Sequence, residues 1–450
     1  MRKFSVDSLS AAFFYAVALF FISLFRDNLL QPDIFIRVSE FLSFPISSDP
    51  RTFAGAGVEM SEQGWLTPQS MWIFHLWPPG FAILLGGIFA VFGTQVPFLA
   101  VLLVLTVLCC TFMLLTVRRY LSLHVPEFWA LVLPLLPFAF PVTRFFLLQP
   151  VGLAFGEGFS VIFFITSIFL LLLAVEKKSI FSAVLSGVFL SLAAYFRSQY
   201  ELLAVCMFAG AIALALGGIA WRTWNERRFS VKAGFWGIGL VVVAMLVAQI
   251  LMLPWRIHNL VDAGTWSWVQ TEDLVARNGL ASEEKLLSMG GKFVVIGGGN
   301  LACKFEPSYC DKEGKSLFYQ AFFQNLPDWL MYKASFFEKF WFADVEYFPE
   351  VVDLEYYPGD YWGNSIILLF VAFSFVLVFV LRKSRSSVVY LWAFLSFYGC
   401  FLIVFSLVQL EVRYFYLIKI FAMFSLMALV AAVRSLGSMP AESKVVAPVE

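Results

Sequence analysis

The chain is 450 residues long, 60% hydrophobic and 18% aromatic, with 53 Phe and only 14% charged residues. That leaves too little polar surface to cover a soluble fold of this length, so the composition defines a polytopic membrane protein. Lys plus Arg and Asp plus Glu both total 31, and with no cationic excess to neutralise phosphates, nucleic acid is excluded as a partner.

Apolar runs occur at 9–25, 77–93, 96–117, 128–142, 159–175, 180–196, 202–221, 233–254, 364–381, 388–410 and 414–433. Most approach the ~20 residues that a helix needs to cross the hydrocarbon. The first keeps its full length and lacks a small-residue cleavage site, which reads as an anchor rather than a removable signal peptide. The second, in HLWPPGFAILLGGIFAVFG (75–93), is short, glycine-rich and opens on two prolines. A polar stretch at 255–363 separates the eighth and ninth runs, and the tail SLGSMPAESKVVAPVE has the composition of a disordered segment.

Basic residues in short loops favour the cytoplasmic side. If 77–93 does not span, then Arg2, Lys3, Arg118, Arg119, Lys177, Lys178, Arg222, Arg227, Arg228, Lys232, Arg382, Lys383, Arg385, Arg434 and Lys444 all fall inside. Only Arg26, Arg37, Arg51, Arg144, Arg197 and Arg413 remain in the short outer segments. The predicted architecture is therefore all-α, with about ten transmembrane helices, in-plane juxtamembrane helices and a large mixed outer loop. Its parts are an N-terminal membrane core, 1–254, with a first outer loop at 26–95; the extracytoplasmic loop 255–363; C-terminal membrane helices 364–434; and a cytoplasmic tail 435–450. The expected location is a bacterial inner membrane. On this topology Asp49, Glu157, the 255–363 loop and QLEVRYF (409–415) share the outer face.

The first outer segment carries Asp49, Phe53 four residues on, Ala56, then WPPG and a closing FG. GEGFSVIFFITSIFLLL, AAYFRSQYELL, LPWRIHNLVDAG and EVRYFYLIKI follow in order. Together these stretches resemble the GT-C superfamily, the multi-spanning glycosyltransferases that include protein mannosyltransferases and aminoarabinose transferases. His258 stands where that family usually has Arg, and Phe53 where Tyr is usual. The resemblance implies a GT-C-like fold and transfer of a sugar from a polyprenyl-phosphate donor to a glycan, lipid or protein acceptor at the outer face of the bilayer. It also implies that Asp49 is catalytic, as general base or as part of a metal site. A carboxylate shielded at a membrane surface gains basicity toward an acceptor hydroxyl. Asp49 before Pro50 is equally a common helix start.

Glu157 is a candidate for steering the acceptor or, with Asp49, for holding a divalent cation such as Mg or Mn, which oxygen ligands suit. The GEG around it also suits a helix start. The lipid phosphate calls for guanidinium groups in short outer turns, and Arg197 and Arg413 are the foremost candidates, with Tyr414 beside the latter. Arg144, Arg256, His258 and His75 extend the patch. Arg197 has Glu201 one helical turn on as an alternative partner, and Arg413 has Glu411. Glu59 and Glu62 read as a solvated helix face. GGKFVVIGGGN lacks the Lys-Ser/Thr ending of a nucleotide loop and reads as a flexible turn. Cys303 and Cys310 are the cysteines of the long loop and, in an oxidising compartment, candidates for a disulfide. No zinc spacing and no Gly-x-Ser-x-Gly elbow occurs. Two other classes fit the pattern: a polymerase or ligase of lipid-linked glycans, and a transporter or flippase.

Overall fold

The computed structural model describes residues 6–26, 32–43, 49–64, 74, 77–206, 209–210, 232–266, 268, 295–296, 298–308, 315–335, 337–342, 360–381, 398 and 410–437. The chain is α-helical. Its first helices are α1 (Ser8–Arg26), α2 (Val38–Ser43), α3 (Asp49–Gln63), α4 (Gly80–Phe92) and α5 (Phe98–Leu121). Next come α6 (Glu127–Val132), a 3-10 segment (Leu133–Ala139), α7 (Pro141–Leu148), α8 (Pro150–Phe155), α9 (Glu157–Lys177), α10 (Ile180–Phe196) and α11 (Lys232–Ala263). Strand β1 (Val295–Ile296) precedes α12 (Gly298–Phe305), α13 (Lys315–Gln324), α14 (Leu326–Ser335), α15 (Phe337–Phe342) and α16 (Tyr361–Leu381). Strand β2 (Leu410–Glu411) leads directly into α17 (Val412–Gly437).

Among the described residues three helices are long and apolar enough to cross a membrane, α5, α9 and the stretch Gly237–Ala263 of α11. A fourth arises if α6, the 3-10 segment and α7 count as one broken span, bent by 87°. These helices mark a membrane-associated protein. The run at 128–142 is therefore not the straight helix that its hydropathy predicts. Pro134 and Pro137 cannot donate a backbone hydrogen bond, and Pro141 restarts the helix in a new direction. Conversely, α11 continues past Pro254 and ends at Gly264, whose φ of 67° is left-handed. The segment at 77–93 forms only the 13 residues of α4, about 20 Å of helix, which is shorter than the hydrocarbon is thick. Helix α17 runs on to Gly437, into the expected tail. The runs at 202–221 and 388–410 lie largely outside the described residues, as does the tail from 438 onward.

Helix α9 is buried along nearly its whole length and packs against α5, α10 and α17. Because lipid tails are as apolar as leucine, close packing and small residues hold such helices together. Ser167 and Ser186 exchange hydrogen bonds between α9 and α10, each hydroxyl donating to the other residue's carbonyl at 2.8 Å. Gly187 lets α10 approach the Ala244 carbonyl of α11. At the α3–α4 crossing, a Cβ on Gly57 would lie 2.8 Å from Leu85 Cβ, and one on Gly86 3.1 Å from Met60 Cβ. On α16 an exposed row, Trp362, Ile366, Leu369, Phe373 and Val376, repeats every three or four residues, as a lipid-facing stripe does.

The segment between α11 and α16 is tied to the bundle through Trp268, which donates to the Ala194 carbonyl of α10, and at two described points further along. Val295 and Ile296 pair antiparallel with Glu411 and Leu410, so the described residues of GGKFVVIGGGN, 295–296 and 298–300, form a strand and a helix start rather than a turn. Trp341 of α15 donates from its indole to the Asn364 carbonyl (2.9 Å) and accepts the Lys419 ammonium on its own carbonyl (2.7 Å). Around Trp329 the rings of Phe305, Phe318 and Phe322 make a small core. Cys303 is disulfide-bonded, while its expected partner Cys310 lies outside the described residues.

Gly57→Val is expected to destabilise the protein by about 1–3 kcal/mol through overpacking. Gly87, where a Cβ would meet nothing within 4 Å, is the control: Gly87→Ala should hold or raise stability by up to about 1 kcal/mol. Thermal unfolding in detergent reads both. Burial lowers the Lys333 ammonium from 10.5 to about 7. The cost is full below about 7, where folded and unfolded lysine are both protonated. Between about 7 and 10.5 the unfolded chain binds more protons, so stability should rise with pH. Unfolding titrations of Lys333→Met should lack that component.

Candidate functional site

The site begins at GEG. Gly156 caps α9 in the left-handed region, with φ 67°, and the Phe81 ring occupies the space that a Cβ there would need. A Cβ on Gly158 would lie 2.7 Å from the Phe146 carbonyl oxygen. Packing thus requires glycine at both positions, and at Gly156 the backbone conformation requires it too. Between them Glu157 opens α9 and is 7% exposed.

Arg197, also 7% exposed, donates through one terminal nitrogen to Glu157 Oε1 at 2.7 Å and to the Phe155 carbonyl at 3.2 Å. Its guanidinium carbon stands 5.7 Å from the centre of the Phe53 ring, a cation–π contact. Phe53 meets Trp77 and Phe81 at 5.8 and 5.4 Å between centroids. Helix α3 and the WPPG corner therefore cover the ion pair. Gly80, the last residue of that corner, rests on the Tyr195 backbone at the end of α10.

A second pair joins Arg256 to Glu201. Arg256 also donates to the Trp266 carbonyl (3.0 Å) and lies 5.7 Å from the Trp268 ring centre. The Trp268 indole donates to the Ala194 carbonyl (3.0 Å), and its own carbonyl accepts Trp255 Nε1 (3.0 Å) and Asn259 Nδ2 (3.2 Å). Chain after α11 is in this way folded back over the end of α10. The alternative Arg197–Glu201 pairing does not form. Arg197 has extended backbone, φ −152° and ψ 125°, and i,i+4 side chains meet only where the helix continues.

The other expected residues fall as follows. Arg144 turns back onto the 3-10 segment, donating to the carbonyls of Phe138 (2.9 Å) and Ala139 (2.8 Å). His258 stacks on Trp255 at 4.7 Å and its Nε2 is buried without a hydrogen bond. Asp49 is the first residue of α3, one turn before Phe53, and Arg413 and Tyr414 lie in the first turn of α17. The side chains of these three, and all of His75, lie outside the described residues. Glu62 is exposed, whereas Glu59 is partly buried and its carboxyl is raised by that burial. Contacts bring the start of α9, the end of α10, the end of α11 and the start of α17 to one end of the bundle. Phe145 and Phe146 meet Tyr416 at 6.0 and 5.3 Å, which places α17 beside α7.

A divalent cation does not fit at Glu157, because the guanidinium already holds its carboxylate and would repel a second cation. Among the described residues no three His, Cys, Asp or Glu converge. The metal expectation then rests on the Asp49 carboxylate alone, outside the described side chains. What the arrangement offers is a shielded guanidinium in an apolar setting, positioned by a carboxylate and covered by aromatic rings. Sequence reading missed the Glu157–Arg197 and Glu201–Arg256 pairings, Trp268, Asn259 and Tyr200. An Arg, a Tyr and a Glu within one short polar turn, FRSQYE, were the available signal.

The sequence matches no family model, and no curated protein matches it.

Removing Arg197 takes away the guanidinium that holds the buried Glu157 carboxylate. Arg197→Ala is expected to cost about 3–5 kcal/mol, and Glu157→Leu combined with Arg197→Met to recover most of it, read by thermal unfolding in detergent.

Proposed function

We propose that the protein is an integral membrane glycosyltransferase of GT-C-like architecture, with about ten spans, moving a sugar from a polyprenyl-phosphate carrier to an acceptor on the extracytoplasmic face. The observation that carries the reading is Arg197: a guanidinium in an apolar bundle, held by Glu157 and lying under Phe53, one turn beyond the position where Asp49 starts α3. Guanidinium forks match phosphate oxygens, and water exclusion strengthens such a contact.

In the reaction the acceptor hydroxyl oxygen bonds to the anomeric carbon as the bond from that carbon to the phosphate oxygen breaks. The electron pair leaves on the lipid phosphate, whose charge Arg197 takes up, with Arg413 at the head of α17 as a second cation. The hydroxyl proton passes to the Asp49 carboxylate as general base. Glu157 positions the Arg197 guanidinium and transfers no proton. The large segment between α11 and α16 selects the acceptor, whether glycan, lipid or protein.

Transfer from a labelled polyprenyl-phosphate sugar in membranes tests this. Asp49→Asn should lower the rate by about 10²–10⁴ at normal protein levels. Full activity of Asp49→Asn with loss in Arg413→Ala would instead mark a polymerase or ligase of lipid-linked glycans.

A further inference from the structure

Helix α14 is inside out for a helix that faces water. Trp329 and Lys333, one turn apart, are its buried residues, Lys333 with 0% exposure. Trp329 turns into the small core made by Phe305, Phe318 and Phe322. Leu330, Met331 and Ala334 are exposed instead, Met331 to 64%. In a solvated amphipathic helix the leucine and methionine go inward and the lysine outward. The apolar exposure continues on both sides of the helix along the chain, at Phe323 of α13, 67% exposed, and at Phe337 of α15. Single exposed apolar side chains carry no meaning, but a continuous apolar face whose lysine is turned inward marks an apolar surrounding.

Contacts of α15 set the level of that face in the bundle. Helix α15 follows α14 after a single residue. Its Phe342 stacks on Tyr361 at the head of α16, with centroids 4.9 Å apart, and Trp341 reaches the Asn364 carbonyl in the first turn of that helix. Phe337 and Trp341 both pack on Phe415 in the first turn of α17, at 5.8 and 6.1 Å. The lipid-facing row of α16 begins in the same first turn, at Trp362. Helix α15 is therefore level with the first turns of two apolar helices, where Tyr and Trp favour the boundary between hydrocarbon and headgroups. From that level α14 departs with its apolar face uncovered.

We infer that α14 lies in the plane of the membrane leaflet at which α16 and α17 begin, with Leu330, Met331 and Ala334 set among the lipids. The bilayer is the partner of this face, and it continues the lipid contact that α16 already makes. Helices of this kind sink their apolar side about 5–10 Å into the boundary between headgroups and acyl chains. The opposite side of α14, with Trp329 and Lys333, carries the rest of the segment between α11 and α16. That segment is thus seated on the membrane surface, whatever reaction the protein catalyses.

Photo-crosslinking of the full chain in nanodiscs of phosphatidylethanolamine and phosphatidylglycerol tests this. The probe, p-benzoylphenylalanine, replaces Met331 or, separately, Leu330; both side chains are exposed, so no packed residue is lost. Ser308, an exposed polar residue of the same segment, is the reference position. Phospholipid adduct from either α14 position, several-fold above that from Ser308, is the expected result by intact mass. Yields from both positions no higher than from Ser308 overturn the inference. A dominant crosslink to a second copy of the chain, or to another part of the same chain, also overturns it, since protein then covers the face.

Discussion

A carboxylate and a guanidinium, each less than a tenth exposed, sit together at one end of an apolar bundle, and the surrounding structure is organised to keep them paired. Taking both charges out of water costs several kcal/mol per ion, which attraction offsets only with close geometry and additional hydrogen bonds. The Phe155 carbonyl supplies one such bond and the Phe53 face a further contact. Phe81 seals the other side, and it can do so only because residue 156 is glycine. The covering rings come from a part of the chain a hundred residues away from the pair. The α3–α4 region and the α9–α10 end therefore cannot be arranged independently.

The turn after α10 gathers three helices with opposite charges in alternation. Arg197 reaches α9 through Glu157, and Glu201 reaches α11 through Arg256. Both pairs are non-local, and both are satisfied by helix ends rather than by neighbours along one helix. Lipid gives little hydrophobic drive between helices. Such ties, together with the Trp268 hydrogen bonds and the Ser167–Ser186 exchange, fix how these helix ends meet.

Much of this was legible in the sequence. Hydropathy placed α1, α5, α9, α10, α16 and α17 close to their observed limits, because each is one uninterrupted apolar run. It failed at 128–142, where apolar content alone does not register three prolines that break the backbone ladder, and at Pro254, where helix continues through a residue that usually ends it. Topology and motif order named Glu157 and Arg197 separately and left Glu201 as an alternative partner of Arg197, since helical spacing says nothing about a position where the helix has already stopped. In the sequence Phe53 is only an aromatic four residues after an aspartate. Its contact with Arg197 depends on a tertiary approach of α3 that no local pattern encodes.

Lys419 sits within an apolar helix with 1% exposure, its ammonium bonded to a carbonyl of α15 and lying 5.2 Å from the Trp341 ring centre. The carbonyl that accepts this buried cation thus belongs to the segment between α11 and α16. That segment is a structural completion of the bundle, and its removal would strand an ammonium among hydrocarbon side chains. Chain shortened between α11 and α16 would therefore fail at assembly, before any question of acceptor choice arises.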